Sequence, residues 1–392
     1  MSERIVISGM GSCSPLGMDA EFCSRLYAAE HFLSMKNVNQ KTYPVGSLAE
    51  SVQDELKKFV FENSFLKKAD RAVQLAVFAS AKALEHAGLK KNSKGSAVFI
   101  GSSRGATQTW ENSFKEYLTS GEVPLLTSPL TTQGNISSAV SNYLELNDAV
   151  NDMSVTCSTA LHAIFNAIAW IRSGMCEFAI AGGTEAPLTD FTFAQLDKLG
   201  IYTKEHSDKY PCRPLQQAEN LKDTFILGEG AAVFVIEKES SCKSRGCKPL
   251  LYIDGFGFAH EKIPSATGIT TEGEALQRAM RMACSENKCT PDLILMHAPG
   301  TVKGDQAEIN AIQSVFENNI PFMFSGKWKC GHTYAASAAL NIVSAFHYLQ
   351  QNKFPEFPYP IRIEQKPSGE IKKVMINAAG FGGNAASVVV SA

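Results

Sequence analysis

The stretch DMSVTCSTALHAIFNA, residues 152–167, changes its pattern at a single cysteine. The residues before Cys157 favour an extended strand, and those after it favour an apolar helix. A thiol at such a junction lies beside unpaired main-chain N–H groups and the positive end of the helix dipole. We therefore expect a lowered pKa for Cys157 and a thiolate nucleophile. The same N–H groups could bind the oxygen that becomes negative when a thioester or ester carbonyl is attacked.

Two of the eight histidines occupy similar junctions. His297 ends an apolar run at 293–296 and opens a turn-rich loop before an amphipathic helix, whereas His332 follows a glycine and precedes a helix of small residues. A lone histidine is usually a hydrogen-bonded structural residue, and Cys157 alone would be an ordinary buried thiol. Two histidines and a cysteine at matching junctions instead favour a catalytic site.

The composition describes a globular chain with a large core. It has 392 residues, of which 44% are hydrophobic and 19% charged, with a net charge of −2. No basic stretch is long enough to bind a nucleic acid. No apolar run approaches the roughly 20 residues of a membrane span, and the N-terminus lacks the plan of a signal peptide. We therefore expect a cytoplasmic protein.

The ten cysteines are too sparse for a disulfide framework in a chain of this length. Two C-x4-C pairs, Cys242 with Cys247 and Cys284 with Cys289, leave a zinc site open as an alternative. No histidine stands near either pair at ligand spacing, so zinc is the weaker interpretation. We expect no metal and no cofactor.

Short strand patterns alternate with helical patterns along the chain, which predicts an α/β fold with largely buried sheets. Strands are predicted at 4–8, 96–100, 153–156, 178–181, 231–236, 250–253, 293–296, 373–376 and 387–390, and helices at 70–86, 159–171, 273–284, 308–316 and 336–348. The two halves of the chain have a similar plan, but their letters are too different to establish a repeat. No low-complexity linker separates them, which favours one compact unit.

Landmarks along nearly the whole chain resemble those of the elongating β-ketoacyl-acyl-carrier-protein synthases, which use a Cys-His-His site. They are RIVISGMGSCSPLG at 4–17, Thr156-Cys157-Ser158, AGGTE at 181–185, Arg213-Pro214, GEG at 228–230, His297 with Gly304-Asp305, Lys327 five residues before His332, and GFGG at 380–383. The resemblance implies the thiolase fold, a duplicated five-layer αβαβα architecture. Residues 1–240 would then carry the nucleophile, and residues 241–392 both histidines.

The resemblance also implies a reaction, the decarboxylative Claisen condensation of an acyl thioester with a malonyl thioester. A fatty-acid, polyketide or polyene chain would grow by two carbons. Cys157 would accept the acyl group, and His297 and His332 would stabilise the enolate. Lys327 would orient the second histidine through its charge. The main-chain N–H groups of Cys157 and Phe381 would form the oxyanion hole, and Phe381 would also gate the acyl pocket.

Other matched residues would support this chemistry. Thr301 matches a threonine that hydrogen-bonds the pantetheine arm, and Asp305 and Glu308 would hold the loop of the first histidine. Ala379 replaces a phenylalanine that the family usually has two residues before the gate, and it would border the substrate site together with Gly380. Loss of that ring should leave room for a longer or differently shaped chain.

Two further departures concern positions near the histidines. Pro299 replaces a threonine that the family usually has there, and Asn341 replaces a glutamate. With Ala379, these changes favour a specialised polyketide or polyene synthase over a housekeeping one. His162 is interpreted as structural, and Glu185 and Glu229 as scaffold carboxylates.

The expected partners are acyl carrier proteins bearing acyl and malonyl thioesters, and a second subunit in a homodimer or heterodimer. Lys67, Lys68 and Arg71 could attract an acidic carrier, although charges at a helix end are more often only solvated. A different class of function stays open, a non-catalytic subunit that sets chain length in a ketosynthase heterodimer. Such subunits usually lack the nucleophile. A thiolase is less favoured, because the C-terminal loop carries Phe381 where a second cysteine would be needed.

Overall fold

The computed structural model describes residues 3–38, 40–206, 209–263, 265, 268–285 and 289–392. The strands in this part of the chain are β1 (Ile5–Cys13), β2 (Ser34–Val38), β3 (Lys41–Val45), β4 (Ser96–Gly101), β5 (Ala149–Met153), β6 (Phe178–Glu185), β7 (Gly230–Lys238), β8 (Leu251–His260), β9 (Leu293–Leu295), β10 (Phe322–Phe324), β11 (Val374–Gly380) and β12 (Asn384–Ser391). The α-helices are α1 (Asp19–Tyr27), α2 (Glu50–Glu62), α3 (Arg71–His86), α4 (Thr107–Ser120), α5 (Thr127–Thr131), α6 (Asn135–Leu144), α7 (Thr159–Ser173), α8 (Asp190–Leu199), α9 (Glu239–Ser244), α10 (Glu274–Ser285), α11 (Val302–Phe316), α12 (Lys327–Cys330) and α13 (Ser337–Gln351). Short 3-10 helices lie at Ser64–Lys68 and Tyr334–Ala336.

All strands except the β2–β3 hairpin form one sheet, in the order β10-β9-β11-β12-β8-β1-β7-β6-β4-β5. The sheet consists of two halves with the same plan. In one half, β1, β7 and β6 are antiparallel and β6, β4 and β5 are parallel. In the other, β8, β12 and β11 are antiparallel and β11, β9 and β10 are parallel. A short pairing of β1 with β8 joins them.

The helices complete a five-layer arrangement. Helices α7 and α13 lie between the two halves of the sheet, where Ile168 and Ile342 share one core with Phe234 of β7 and Ile376 of β11. Helix α3 packs on the outer face of the first half, and α10 and α11 cover that of the second. Burial of such apolar side chains contributes about 1.5–3 kcal/mol each. These layers confirm the predicted duplicated αβαβα architecture.

The two outer helices pack on the sheet through the same glycine contact. A Cβ atom on Gly11 of β1 would lie 2.1 Å from the Ala79 carbonyl oxygen of α3, and one on Gly257 of β8 would lie 2.1 Å from that of Ala279 in α10. Only glycine permits the strand and the helix backbone to approach so closely. The amino-acid sequence alone did not establish the duplication, but these matching glycine contacts between strand and helix show it.

Most predicted elements have a counterpart, and one strand was misplaced. The strand expected at 153–156 is Ala149–Met153, because the chain turns immediately afterwards. This edge strand was misplaced because the exposed, polar Asn151 interrupts the apolar pattern used to predict strands. The three-residue strand β10 was not predicted. In the described part of the chain, no helix has the length and apolar character needed to cross a membrane.

Candidate active site

Cys157 lies in the turn between β5 and α7, at the carboxyl end of a strand. The preceding residue, Thr156, has a φ of +48°, a left-handed conformation that is uncommon for a residue with a side chain. The N–H of Ser158 donates to the Val155 carbonyl at 3.2 Å, and that of Thr159 to the Thr156 carbonyl at 3.3 Å. Hydrogen bonding of the turn thus begins at Ser158, which leaves the N–H of Cys157 available to a substrate oxygen.

The loop after β11 closes over this turn. A Cβ atom on Gly380 would lie 1.7 Å from Thr156 Oγ1 and 3.1 Å from the Cys157 nitrogen, so glycine is required there. Thr156 Oγ1 donates to the Phe381 carbonyl at 3.4 Å. The Phe381 side chain is 45% exposed, and Gly382 after it has a φ of +91°. The β11–β12 ladder ends at Gly380, so the N–H of Phe381 lies outside it, beside the nucleophile turn.

The predicted lowering of the pKa of Cys157 is wrong. Burial raises the pKa of this thiol to about 12, the negative charge of Glu185 adds to the rise, and the positive charge of Lys327 opposes it. Removal from water therefore outweighs the favourable position at a helix N-terminus. Cys157 is a thiol at neutral pH and must lose its proton as it attacks.

His297 follows β9, and its main chain is held by a buried carboxylate. Glu308 Oε1 accepts from the His297 N–H at 2.9 Å, and Oε2 from the Ala298 N–H at 2.7 Å. Asn377 Nδ2 donates to the same carboxylate at 3.1 Å. The Lys327 ammonium donates to the His297 carbonyl oxygen. The sequence had associated Lys327 with the second histidine, but its hydrogen bond fixes the first.

His332 lies in the long connection between β10 and α13. Its N–H donates to the Ile226 carbonyl at 2.7 Å, and its carbonyl accepts from the Gly228 N–H at 3.0 Å. Its ring centroid lies 5.0 Å from that of His297, and the two rings are nearly perpendicular. The side chain is buried, and Nδ1 has no hydrogen-bond partner among the described residues. The two imidazoles are therefore neighbours across one small space.

The electrostatics keep both imidazoles neutral. Burial lowers the pKa of His297 and of His332 well below the usual 6.5, and the positive charge of Lys327 lowers both further. Each ring therefore carries one N–H donor and one basic nitrogen at pH 7. Burial also lowers the pKa of Lys327, although the carboxylate of Glu308 opposes this.

Asp305 joins the loop of the first histidine to the segment around Arg213-Pro214. Its carboxylate accepts from the Leu215 N–H at 2.9 Å and from the Gly300 N–H at 3.0 Å. The side chain is 3% exposed, and burial raises its pKa to about 7. Thr301 begins the turn into α11, with its Oγ1 2.6 Å from the position of a Cβ atom on Gly304.

Glu185, at the end of β6, hydrogen-bonds residues of two segments near Cys157. Its carboxylate accepts from Ser102 Oγ at 2.9 Å, from the Ser103 N–H at 2.8 Å and from the Ala335 N–H at 3.3 Å. Burial raises the pKa of this carboxyl. Ser103 Oγ in turn donates to the Thr156 carbonyl at 2.8 Å. Ser103 was not singled out from the sequence, although it follows the buried strand β4 as Cys157 follows the edge strand β5.

The remaining residues named from the sequence lie farther from the chemistry. Ala379 is 8% exposed and packs in the outer core of the second half. His162 Nδ1 lies 3.1 Å from the Ser158 carbonyl oxygen. Arg71 is paired with Glu229, with Nε and Nη2 at 2.6 and 2.9 Å from its two oxygens. Of the three basic residues that could attract a carrier protein, Arg71 is therefore already paired with a carboxylate.

No group of three or more histidine, cysteine or carboxylate side chains in the described ranges could hold a metal ion. The groups that converge are instead a thiol, two neutral imidazoles, a buried ammonium and main-chain N–H donors. Such a set can attack a carbonyl, bind the resulting oxyanion and stabilise an enolate oxygen.

The chain matches two family models. The N-terminal domain of β-ketoacyl synthases matches residues 2–241, and the C-terminal domain of the same family matches residues 250–358. A 3-oxoacyl-[acyl-carrier-protein] synthase 2 of Staphylococcus aureus is 28% identical over 416 residues, which cover 99% of this chain and 98% of that protein.

Solved structures of similar fold cover the whole chain. The ishigamide ketosynthase/chain length factor superposes with a TM-score of 0.86 at 20% identity, over 100% of this chain and 99% of that one. A type II PKS ketosynthase, solved in complex with its acyl-carrier protein and bound to the hexaketide, superposes with a TM-score of 0.84 at 20% identity, over 100% of both chains.

Proposed function

Because this chain belongs to the β-ketoacyl synthase family and is an enzyme of the acyltransferase type, we propose that it extends an acyl chain by two carbons through decarboxylative condensation with a malonyl thioester. The observation that supports this most directly is the pair of neutral histidines 5.0 Å apart, beside a Lys327 whose charge acts on both rings and on Cys157. We assign the nucleophile to the half at residues 1–240 and both histidines to the half at 241–392.

The first half-reaction would load Cys157. Its thiol attacks the carbonyl of an acyl thioester, and the carbonyl oxygen, which becomes negative, is bound by the N–H groups of Cys157 and Phe381. The carrier thiolate then leaves, and the proton lost from Sγ passes to it through a neutral imidazole. Since the pKa of Cys157 is raised, the attack needs a base to take this proton.

The second half-reaction would use both histidines. The malonyl group loses CO2, and the electrons of the broken C–C bond form an enolate whose oxygen accepts hydrogen bonds from His297 and His332. The enolate carbon attacks the acyl carbonyl on Cys157, the thiolate leaves, and it takes up a proton from the solvent. Neutral imidazoles suit this step because each keeps an N–H to donate. Lys327 positions the first histidine and stabilises negative charge.

The substrates would be delivered by an acyl carrier protein. The relative of Staphylococcus aureus carries the acyl carrier in its name, and one structural neighbour was solved with such a carrier. Thr301 would bind the pantetheine arm at the mouth of the site. We propose a cytoplasmic homodimer, or a heterodimer with a homologous subunit. Gly380 would border the acyl chain. Ala379 packs in the outer core beside it, so the missing aromatic ring would change the site through its neighbours, and we propose a polyketide or polyene substrate.

The second candidate function is that of a chain-length-setting subunit. A structural neighbour is described as a ketosynthase/chain length factor, so this fold serves in such assemblies. Against this role, Cys157, His297, His332 and Lys327 are all present and brought together. A subunit without chemistry would not need a thiol, two adjacent imidazoles and a buried ammonium.

Intact-mass spectrometry tests the proposal. The protein is incubated with a panel of acyl-carrier-protein thioesters, followed by malonyl-carrier protein, in parallel with Cys157→Ala. Cys23→Ala serves as a matched control, because Cys23 is also a partly buried free thiol but lies in α1. We expect a mass gain in the wild type and in Cys23→Ala only, discharged into a product two carbons longer. A folded wild type that no donor acylates, alone or with a co-expressed homologous subunit, would favour the chain-length role.

A further inference from the structure

An arginine stands beside the nucleophile turn without a role in the reaction described above. Arg104 follows β4, and its N–H donates to the buried carboxylate of Glu185 at 3.2 Å. The neighbouring Ser103 binds the same carboxylate and, through Oγ, the Thr156 carbonyl. The main chain of Arg104 is therefore fixed next to Ser103, which contacts the turn that carries Cys157.

The guanidinium of Arg104 is only partly satisfied. Nη2 donates to Gln195 Oε1 of α8, a neutral acceptor. Nε is buried and has no hydrogen-bond partner among the described residues. A buried donor without an acceptor is costly and uncommon, and it calls for an explanation. Within the same ranges no carboxylate forms an ion pair with this arginine.

Arg104 and Cys157 share a neighbour, Tyr334. The pKa of Tyr334 is raised by burial, and it responds both to Cys157 and to the opposing positive charge of Arg104. Tyr334 lies next to His332, with ring centroids 5.4 Å apart. Arg104 and Cys157 thus act on one common neighbour at the site.

We propose that Arg104, held by Gln195, is a specificity-determining residue that selects acyl chains carrying an oxygen acceptor close to the thioester. The inference rests on the proposed function, because it concerns the chain loaded on Cys157. An alkyl chain offers no acceptor for the N–H of Nε, whereas a keto, hydroxyl or carboxylate oxygen does. A site built to hydrogen-bond an oxygen discriminates strongly against an analogue that lacks it.

Acylation rates on Cys157 test this selection. Carrier proteins loaded with hexanoyl, 3-oxohexanoyl and 3-hydroxyhexanoyl groups, which differ only at the third carbon, are compared by intact mass over time. We expect at least one oxygenated chain to load about tenfold or more faster than hexanoyl, and the fastest identifies the oxygen recognised. In Arg104→Met, an apolar side chain of similar length, the ratio should fall towards one. Arg104→Lys retains the charge without the planar fork and should give an intermediate ratio.

The outcomes separate the two proposals. If no donor acylates the wild type, the proposed function fails, and the selection fails with it. If hexanoyl loads as fast as the oxygenated chains, or if Arg104→Met leaves the ratio intact, only the selection by Arg104 is overturned. Should Arg104→Met not fold, as judged by its thermal melting, Gln195→Leu replaces it. Removal of the acceptor of Nη2 is expected to lower the same ratio, and an unchanged ratio would overturn the proposal.

Discussion

The two halves of the molecule make the same turn before their central helices, but only one carries the nucleophile. Thr156 has a φ of +48° three residues before α7 begins, and Tyr334 has a φ of +42° three residues before α13 begins. The next residue is Cys157 in the first half and Ala335 in the second. Left-handed backbone at non-glycine residues is strained, and here it occurs at corresponding positions around one site.

The difference between the halves lies in what surrounds these turns. The first half connects β5 to α7 through residues 154–158 alone, whereas the second connects β10 to α13 through residues 325–336. The longer connection provides Lys327 and His332. The same backbone arrangement thus places a thiol in a short turn of the first half, and an imidazole and an ammonium in the longer connection of the second half.

Each turn is also met by the strand end of the opposite half. Gly380, at the end of β11, allows its backbone to approach Cys157, while Glu185, at the end of β6, accepts the N–H of Ala335. In the first half, the N–H of Cys157 stays available to a substrate oxygen. In the second half, the N–H of Ala335 donates to the Glu185 carboxylate. The duplication therefore gives two potential oxyanion sites, of which one is filled by the protein itself.

Moving the thiol from the first turn to the second should have the largest effect on the elongation rate. We expect Cys157→Ala to lower the elongation rate by roughly 10³-fold or more, since no other group can carry the acyl chain. The double variant Cys157→Ala/Ala335→Cys should not recover, because Glu185 occupies the N–H of residue 335. Rates of product formation and intact mass check this. Acylation of the cysteine at position 335 would show that the turns are equivalent.

Two neighbouring lysines are expected to have different roles, one in the reaction and one in the stability of the fold. Both lie in α12 and are buried, but Lys327 binds the His297 carbonyl, whereas Lys329 donates to the carbonyls of Arg25, at 3.1 Å, and of Ala28 at the end of α1. We expect Lys327→Met to lower the rate of malonyl decarboxylation by roughly 10²-fold, because a charge near the enolate is lost. Lys329→Met should instead lower the free energy of unfolding by about 1–3 kcal/mol, since buried carbonyls lose their donor.

Decarboxylation assays and denaturant unfolding of both lysine variants decide between these roles. The pair is closely matched, because the same substitution is made two residues apart in one helix. If Lys329→Met lost decarboxylation as strongly as Lys327→Met at full folding, the division between chemistry and stability would be wrong.

The proposed catalytic residues could be singled out in the sequence because each lies at the end of a recognisable element. Cys157 and His297 follow extended runs, and His332 follows a glycine. Their local patterns are strong even though they lie far apart in the chain. Arg104 also follows a strand, but an arginine in a loop is ordinarily solvated, and only its buried Nε distinguishes it.

Properties that depend on packing across the two halves could not be predicted. The pKa of Cys157 is set by burial and by the charges of Glu185 and Lys327, none of which its local sequence reveals. The binding partner of Lys327 and the pairing of Arg71 with Glu229 likewise depend on tertiary contacts. The duplication was present as a Gly-x-Gly pattern in both β1 and β8, a signal too short to be convincing alone.

The matched glycine contacts offer a sharper test of the duplication. Gly11→Ala and Gly257→Ala should each lower the free energy of unfolding by about 1–3 kcal/mol, because each new methyl group would lie 2.1 Å from a helix carbonyl. Gly121→Ala is a useful control, since a Cβ atom there meets nothing within 4 Å and only its φ of +75° is strained. Denaturant unfolding measures all three. A large effect in one half only would show that the contacts are not equivalent.

The smallest expected effect concerns the pH dependence of Asp305, which holds the histidine loop in the second half. Its pKa is raised by burial from 3.8 to about 7, so the folded protein retains a proton that the unfolded chain has lost. The stability from this group is therefore fully present below pH 4 and is lost as the pH rises through 7. Relative to Asp305→Asn, which does not titrate, the free energy of unfolding of the wild type should fall by about 1 kcal/mol between pH 6 and 7. Denaturant unfolding at both pH values checks this, and a difference that stays constant or grows would show that Asp305 is ionised in the folded protein.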